Sequence, residues 1–118
     1  MTWQSSVKSE QIVLGYIYCI GISEGFNPYV KIGRSTRHPL NGRLAQLQTA
    51  CPLELRLVDA FPVFAGNIVA LEKAIHSVFS NFLHRGEWFR ARPRDIALEV
   101  ERLVSAHNSL HADKPSAF

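Results

Sequence analysis

Glu72 and His76 lie one helical turn apart on the apolar side of a stretch with helical periodicity. Asn67 is a favourable N-cap, and the pattern after it predicts a helix to about residue 83. At about 100° per residue, Ile68, Leu71, Ile75, Val78 and Phe82 form its central apolar stripe. Lys73, Ser77, Ser80 and Asn81 form its wet face. Glu72 and His76 belong to neither set and fall on the shoulder of the apolar side, among Val69, Phe79 and Leu83. A carboxylate against apolar neighbours is costly without a cation, a metal or hydrogen bonds. Glu72 is therefore expected to have a partner: an arginine, His76 as an i,i+4 pair, or the metal or proton of a site facing a cleft.

A second set of reactive groups sits near the front of the chain. Tyr16-Ile17-Tyr18-Cys19-Ile20 and Val30-Lys31-Ile32-Gly33-Arg34-Ser35 read as short strands rich in β-branched and aromatic residues. The Gly, Ser, Asn and Pro between them read as the loop of a hairpin. On alternating geometry Tyr16, Tyr18 and Ile20 share one face, and Lys31 and Gly33 share one face. Phenols, an ammonium and a small glycine so placed make either a reaction platform or an ordinary sheet. Arg43 lies beside the apolar stripe Leu40, Leu44 and Leu47 of a short helix. There it pairs with Glu72 or binds a phosphate. His38 and His84 fall in turns, and Trp88 and Phe89 read as core. No Ser-His-Asp order, GxSxG or phosphate-loop glycine pattern is present, which argues against an acyl hydrolase or nucleotidase.

The elements that must position these groups fit one domain. The sequence holds 118 residues, enough to bury about two-thirds of the unfolded surface without a metal or disulfide staple. With 47% hydrophobic and 19% charged residues the composition is globular. The net charge of +3, from 13 Lys and Arg against 10 Asp and Glu, does not by itself mark a nucleic-acid binder. Its distribution says more. Residues 25–53 contain no Asp or Glu but hold Lys31, Arg34, Arg37 and Arg43, and a second basic run holds Arg85, Arg90, Arg92 and Arg94. On one face the two runs attract a polyanion; apart they are solvated surface. Cys19 and Cys51 form no CxxC, and no secretory leader precedes them, so reduced thiols and a cytoplasmic location are expected. Cys and His do not cluster at zinc-ligand spacings. No apolar run approaches the roughly 20 residues that cross a bilayer.

Along the chain, residues 1–10 read as a loose leader, 11–22 and 29–34 as strands, and 53–64 as a third strand with Leu53, Leu55 and Leu57 alternating with Glu54 and Arg56. Thr36-Arg37-His38-Pro39 opens the short helix, with Pro39 in its first turn, and Ala50-Cys51-Pro52 stops it. Gly86 reads as the exit cap of the main helix. Glu87-Trp88-Phe89-Arg90 reads as a short edge strand. A last helix runs from Arg92-Pro93 to about His107 on the stripe Ile96, Val100, Leu103 and Val104. The expected fold is a small α/β (α+β) sandwich, a mainly antiparallel three-stranded sheet flanked by helices, with residues 11–107 as its single domain and 108–118 as a polar tail.

Taken together these residues resemble the GIY-YIG nuclease superfamily. Tyr16-Ile17-Tyr18 aligns with its first motif and Lys31-Ile32-Gly33 with its second. Arg43 fits the helical arginine, and Leu71-Glu72 fits the later metal-binding glutamate. Lys-Ile-Gly, then Arg43-Leu44-x-x-Leu47-Gln48, then Leu-Glu-x-x-x-His, then Gly86-Glu87-Trp88-Phe89 resembles the branch of phage-type and meiotically-up-regulated-gene-type domains. The likeness covers residues 15–91. It implies hydrolysis of a DNA phosphodiester with one divalent ion, magnesium or manganese, held by Glu72. It also implies roles for the other residues. Tyr18 would take the proton of the attacking water, helped by positive charge from Lys31. Arg43 would bind a phosphate oxygen in the transition state. Arg34, Arg37 and Tyr16 would help place the backbone, and His76 would hold a water on the ion or the leaving oxygen. Structured nucleic acid or RNA is an alternative substrate. The chain departs from the family pattern in four places: Tyr16 replaces a glycine, Lys31 a tyrosine and Leu47 a histidine, and the asparagine that some members place after the glutamate helix has no direct match, with Asn81 and Glu87 as its candidate stand-ins.

Three readings follow, each with its own geometry. A nuclease brings Tyr18, Lys31, Arg43 and Glu72 to one open cleft. A nucleic-acid-binding module with a nuclease-like fold keeps the basic surface without a metal site, and its affinity falls steeply with salt. An interaction domain pairs Arg43 with Glu72 in a closed, buried contact.

Overall fold

Alternation of buried and exposed positions decides the centre of the fold. A computed structural model of the protein describes residues 12–22 and 28–112. The expected leader 1–10, the loop inside the first hairpin and the end of the expected tail lie outside the described residues. Strands β1 (Gly15–Ile22) and β2 (Tyr29–Ser35) pair antiparallel as expected, with Tyr18 opposite Gly33 and Ile20 opposite Lys31. Strand β3 (Leu55–Val63) lies antiparallel on the other side of β1.

Three helices and two more strands complete the described residues. Helix α1 (Arg43–Thr49) precedes β3. Helix α2 (Ile68–Val78) follows it, then a single 3-10 turn (Ser80–Phe82), β4 (Leu83–Arg85), β5 (Trp88–Arg90) and α3 (Pro93–Leu110). Ile17 and Cys19 of β1, with Val30, Ile32, Phe61, Val63 and Phe89, bury against Leu71, Ile75, Ile96, Val100 and Val104 of α2 and α3. On the other face Tyr18, Ile20 and Leu55 bury, with Leu44, Leu47, Leu57 and Trp88 packed against them. The sheet thus lies between α2 and α3 on one side and α1 on the other.

The sheet has five strands in the order β3-β1-β2-β5-β4, where three were expected. The extra hairpin comes from the end of the main helix. The apolar period continues through Val78, Phe82 and Leu83, but the helix stops at Val78. Ser80 and Asn81 favour turn geometry over helix interior, and Val78 and Phe82 are 55% and 48% exposed. The buried face runs through Leu71, Glu72 and Ile75 to Phe79 instead. Gly86 therefore caps no helix. It is the first of the two residues joining β4 to β5, at φ +57°, where two-residue hairpin turns favour glycine. Strand β5 is not an edge, since it pairs with both β2 and β4.

Other boundaries also move. The strand expected from residue 11 begins at Gly15, and Ile12, Val13 and Leu14 are exposed. Helix α1 starts at Arg43, after turns through His38, Asn41 and Gly42, and Leu40 is exposed rather than part of its stripe. Helix α3 begins at Pro93 as expected but runs past His107 to Leu110. Asn108, expected in a polar tail, instead ties the helix to the sheet. Its Oδ1 accepts from the Phe64 amide at 2.9 Å, and its Nδ2 donates to the Pro62 carbonyl at 3.0 Å. No helix among the described residues is long and apolar enough to cross a membrane.

Candidate functional site

The expected partner of Glu72 is Arg34. On strand parity Arg34 follows Val30 and Ile32 onto the face that α2 covers. Its Nε donates to Glu72 Oε1 at 3.0 Å. Glu72 is only 9% exposed, and its other oxygen, Oε2, is buried without a hydrogen-bond partner. His76 Nε2 stands 3.9 Å from that oxygen, beyond hydrogen-bond range. It lies instead 2.8 Å from the Ile32 carbonyl, to which an Nε2–H would donate. The His76 ring also meets Phe89 edge-on, with centroids 5.0 Å apart. The closed Arg43–Glu72 pair of the interaction-domain reading is not formed.

A gap in strand pairing explains why His76 reaches the backbone. Strand β5 pairs with β2 only opposite Tyr29, Val30 and Lys31, and the Glu87 carbonyl accepts the Ile32 amide. Beyond that point residues 33–35 have no strand on that side among the described residues. The Ile32 carbonyl faces the same gap, and the His76 imidazole satisfies it. The two faces of the sheet meet at this free edge. From the α1 side, Tyr18 lays its ring over Gly33. A Cβ built on Gly33 would lie 2.5 Å from Tyr18 Oη and 2.6 Å from its Cζ. The glycine of the Lys-Ile-Gly motif is therefore the space that the phenol occupies.

The Tyr18 phenol is 1% exposed, and burial raises its pKa above the usual 10.0. The Arg43 guanidinium beside it opposes that shift by charge and hydrogen bonding, while Glu87 and Glu72 reinforce it. This corrects the expectation for Lys31. Its ammonium is committed to Glu87 Oε1 at 2.6 Å, and the cation at the phenol is Arg43. The net direction is upward, so Tyr18 keeps its proton at neutral pH.

Next to this edge opens a cleft of about 690 Å³. Arg34, Arg37, Arg43, His38, Asn41 and Gln46 are among its lining residues, and no carboxylate is. Tyr16 braces its wall, with its ring edge-on to His38 at 5.3 Å. Of the eight residues singled out in the sequence, the structure places Arg34, Arg37 and Arg43 on the cleft, with Tyr16 behind it. Glu72 and His76 lie beneath Arg34, and Tyr18 is beside Arg43. Lys31 is set apart with Glu87. Two contributions were not foreseen. His38 lines the cleft, although the sequence placed it in an ordinary turn. Gln48, the last residue of the Arg-Leu-x-x-Leu-Gln run, clamps the loop after α1. Its Nε2 donates to the Leu53 carbonyl at 2.9 Å, and its Oε1 accepts from the Leu55 amide at 2.8 Å. Its place at the end of that motif, near the end of a short helix just before a Pro-containing loop, is the signal the sequence holds for it.

Among the described residues no three His, Cys, Asp or Glu side chains cluster as metal ligands. The orphaned Glu72 Oε2 nonetheless fits a hard divalent cation. Magnesium commonly binds through one or two carboxylates, completing its shell with water and substrate phosphate. A buried anionic oxygen with no partner is otherwise expensive to maintain.

The fold and site thus define an α+β domain with a carboxylate-free basic cleft beside one buried glutamate. Residues 15–106 match the T5orf172 domain, and the chain belongs to that family, which occurs in nuclease-associated proteins of phage type. The family points to a nucleic-acid-related role. No curated protein and no solved structure matches the chain.

Proposed function

We propose that the protein is a divalent-metal-dependent endonuclease of the GIY-YIG type that hydrolyses DNA phosphodiester bonds. The observation that carries this reading is the buried, unpartnered Oε2 of Glu72, whose other oxygen is held by Arg34, one of the arginines lining the cleft. Glu72 would hold one magnesium or manganese ion, which when bound supplies Lewis-acid charge to the scissile phosphate. Arg43 and the exposed part of Arg34 bind non-bridging phosphate oxygens, and Arg37 holds the adjoining backbone. Tyr18 takes a proton from the attacking water only as phenolate, a minor species at neutral pH because burial outweighs Arg43. His76 positions Glu72 by anchoring α2 to the Ile32 carbonyl rather than by touching substrate.

The test is nicking of supercoiled plasmid with magnesium or manganese by the native chain, Glu72→Gln and Arg43→Ala. Metal-dependent cleavage lost in both variants supports the reading. An intact plasmid that is still retarded on a gel at low salt favours a second reading, a nucleic-acid-binding module. The engagement of Lys31 by Glu87, which leaves the phenol with Arg43 as its cation, speaks for that second reading.

A further inference from the structure

Arg85, from the second basic run, lines a different pocket from the cleft. This pocket holds about 350 Å³, the size of a small-ligand site. It opens on the α1 side of the sheet, at the opposite end of β2 from Gly33. Tyr29, Trp88, His84 and Arg85 surround it, with Ile22 and Leu53 among the remaining lining. Tyr29 shares strand parity with Lys31 and Gly33, and Trp88 packs in the same layer as Tyr18. The pocket and the Tyr18 side of the proposed catalytic edge therefore lie on one sheet face, with Tyr29 and Gly33 four residues or about 13 Å apart along β2.

The pocket's chemistry is specific. Three ring systems meet there, with Tyr29 and His84 centroids 4.8 Å apart and tilted by 52°. A cation stands at the rim, and no carboxylate lines the pocket. The Tyr29 hydroxyl, the Trp88 indole N–H, the His84 ring nitrogens and the Arg85 guanidinium have no hydrogen-bond or ionic partner among the described residues. An aliphatic guest would leave those groups unpaired. A flat heteroaromatic ring with hydrogen-bonding edges and an attached phosphate would use both the ring faces and the polar atoms.

We infer that this pocket is a nucleobase subsite, taking one unpaired base of the strand whose backbone lies in the arginine cleft. The inference rests on the nuclease reading for that cleft and narrows its substrate class. A base inside an intact duplex cannot enter, so the preferred substrate is single-stranded, or carries a mismatched or extruded base near the cut.

The test is binding in EDTA, where no hydrolysis occurs. In a Trp3→Phe background, in which Trp88 is the one remaining tryptophan, a ten-nucleotide single strand is expected to quench emission. A duplex of equal length and an abasic strand of equal charge are expected to leave it nearly unchanged. His84→Ala and Arg85→Ala alter exposed side chains, and circular dichroism verifies that they fold. Their affinity for the single strand, read by anisotropy of a labelled oligonucleotide, should fall about 5-fold or more, and about 5- to 150-fold in Trp88→Ala, with duplex affinity changed less than about 2-fold. No quenching, or equal losses for duplex, abasic and base-bearing strands, overturns the inference. Quenching without metal-dependent cleavage of either the plasmid or the single strand upholds the subsite and removes the nuclease reading. Cleavage without quenching does the reverse.

Discussion

Replacing Gly33 by alanine tests the link between the Lys-Ile-Gly motif and the phenol most directly. In an unhindered strand this change would stabilise the protein by about 0.5–1 kcal/mol. Here the new Cβ would stand 2.5 Å from Tyr18 Oη and 2.6 Å from Cζ. The ring must retreat by about 1 Å to reach ordinary contact, and it is buried in the layer with Ile20 and Leu55. Overpacking of this kind costs about 1–3 kcal/mol. At about 2.1 cal/mol/K per residue, 118 residues unfold with an entropy near 0.25 kcal/mol/K. Gly33→Ala should therefore lower Tm by about 4–12 °C in calorimetry. It should also move the hydroxyl away from Arg43 and slow metal-dependent nicking by about 10²-fold, the scale of a 1 Å misplacement. In a Tyr18→Leu background, with the ring gone, the same change should cost less than about 0.5 kcal/mol. An unchanged Tm, or the same cost in both backgrounds, would refute the proposition that Gly33 is reserved for the Tyr18 ring.

Three further outcomes are expected. Arg34→Ala strips Glu72 of the donor on its one satisfied oxygen. Because Arg34 is half exposed and solvent screens the pair, the loss in urea unfolding should be about 1–2 kcal/mol and should shrink in a Glu72→Gln background; equal losses in both would sever the pair from stability. Cleavage rates of the native chain should climb about tenfold per pH unit from pH 7 past pH 9, because the Tyr18 pKa is raised above 10.0. Tyr18→Phe should be slow and flat, and a plateau in the native profile near pH 7 would assign the proton to another group. Burial, aided by Asp59, pushes the Cys19 thiol from 9.0 up to about 12. The folded state holds that proton more tightly than the unfolded chain, so this contribution is complete below pH 9 and lost as pH rises toward 12, at about 1.4 kcal/mol per unit. Cys19→Ala should thus lose less stability between pH 8 and pH 10 than the native chain does, as read by denaturant midpoints.

The legible parts of the fold were those set by local periodicity. Alternation placed Tyr18 and Ile20 on one face and Ile17 and Cys19 on the other. Helical period put Glu72 on the buried side of its helix, and Arg92-Pro93 marked the start of α3. What sequence could not supply was long-range pairing. Arg34 and Arg43 are equivalent as cations, and only the β2 register decides which of them meets Glu72. Lys31 looked like an activator of the phenol until the two-residue turn at Gly86-Glu87 brought a carboxylate to it. The apolar period outruns the main helix because Phe82 and Leu83 keep it while lying on the surface. His38 lines the cleft, and the motif residue Gln48 clamps the loop after α1, through contacts that no spacing encodes.

Helix α1 is held unequally at its two ends. It has seven residues, none fully buried, and Gly42 at its start offers no side-chain cap. At its finish Gln48 grips the backbone at Leu53 and Leu55. The Leu44 amide is held by the Pro39 carbonyl at 2.9 Å, but the absence of a side-chain cap and of any fully buried residue places the first turn toward the low end of local stability. Arg43 is the first residue of that turn, so the cation nearest the phenol rides on the looser end of a lever hinged at β3. Under the proposed function, a phosphate arriving in the cleft would meet a guanidinium carried on that less firmly held turn. Changes at Gln48, remote from the cleft, would alter how far that lever swings.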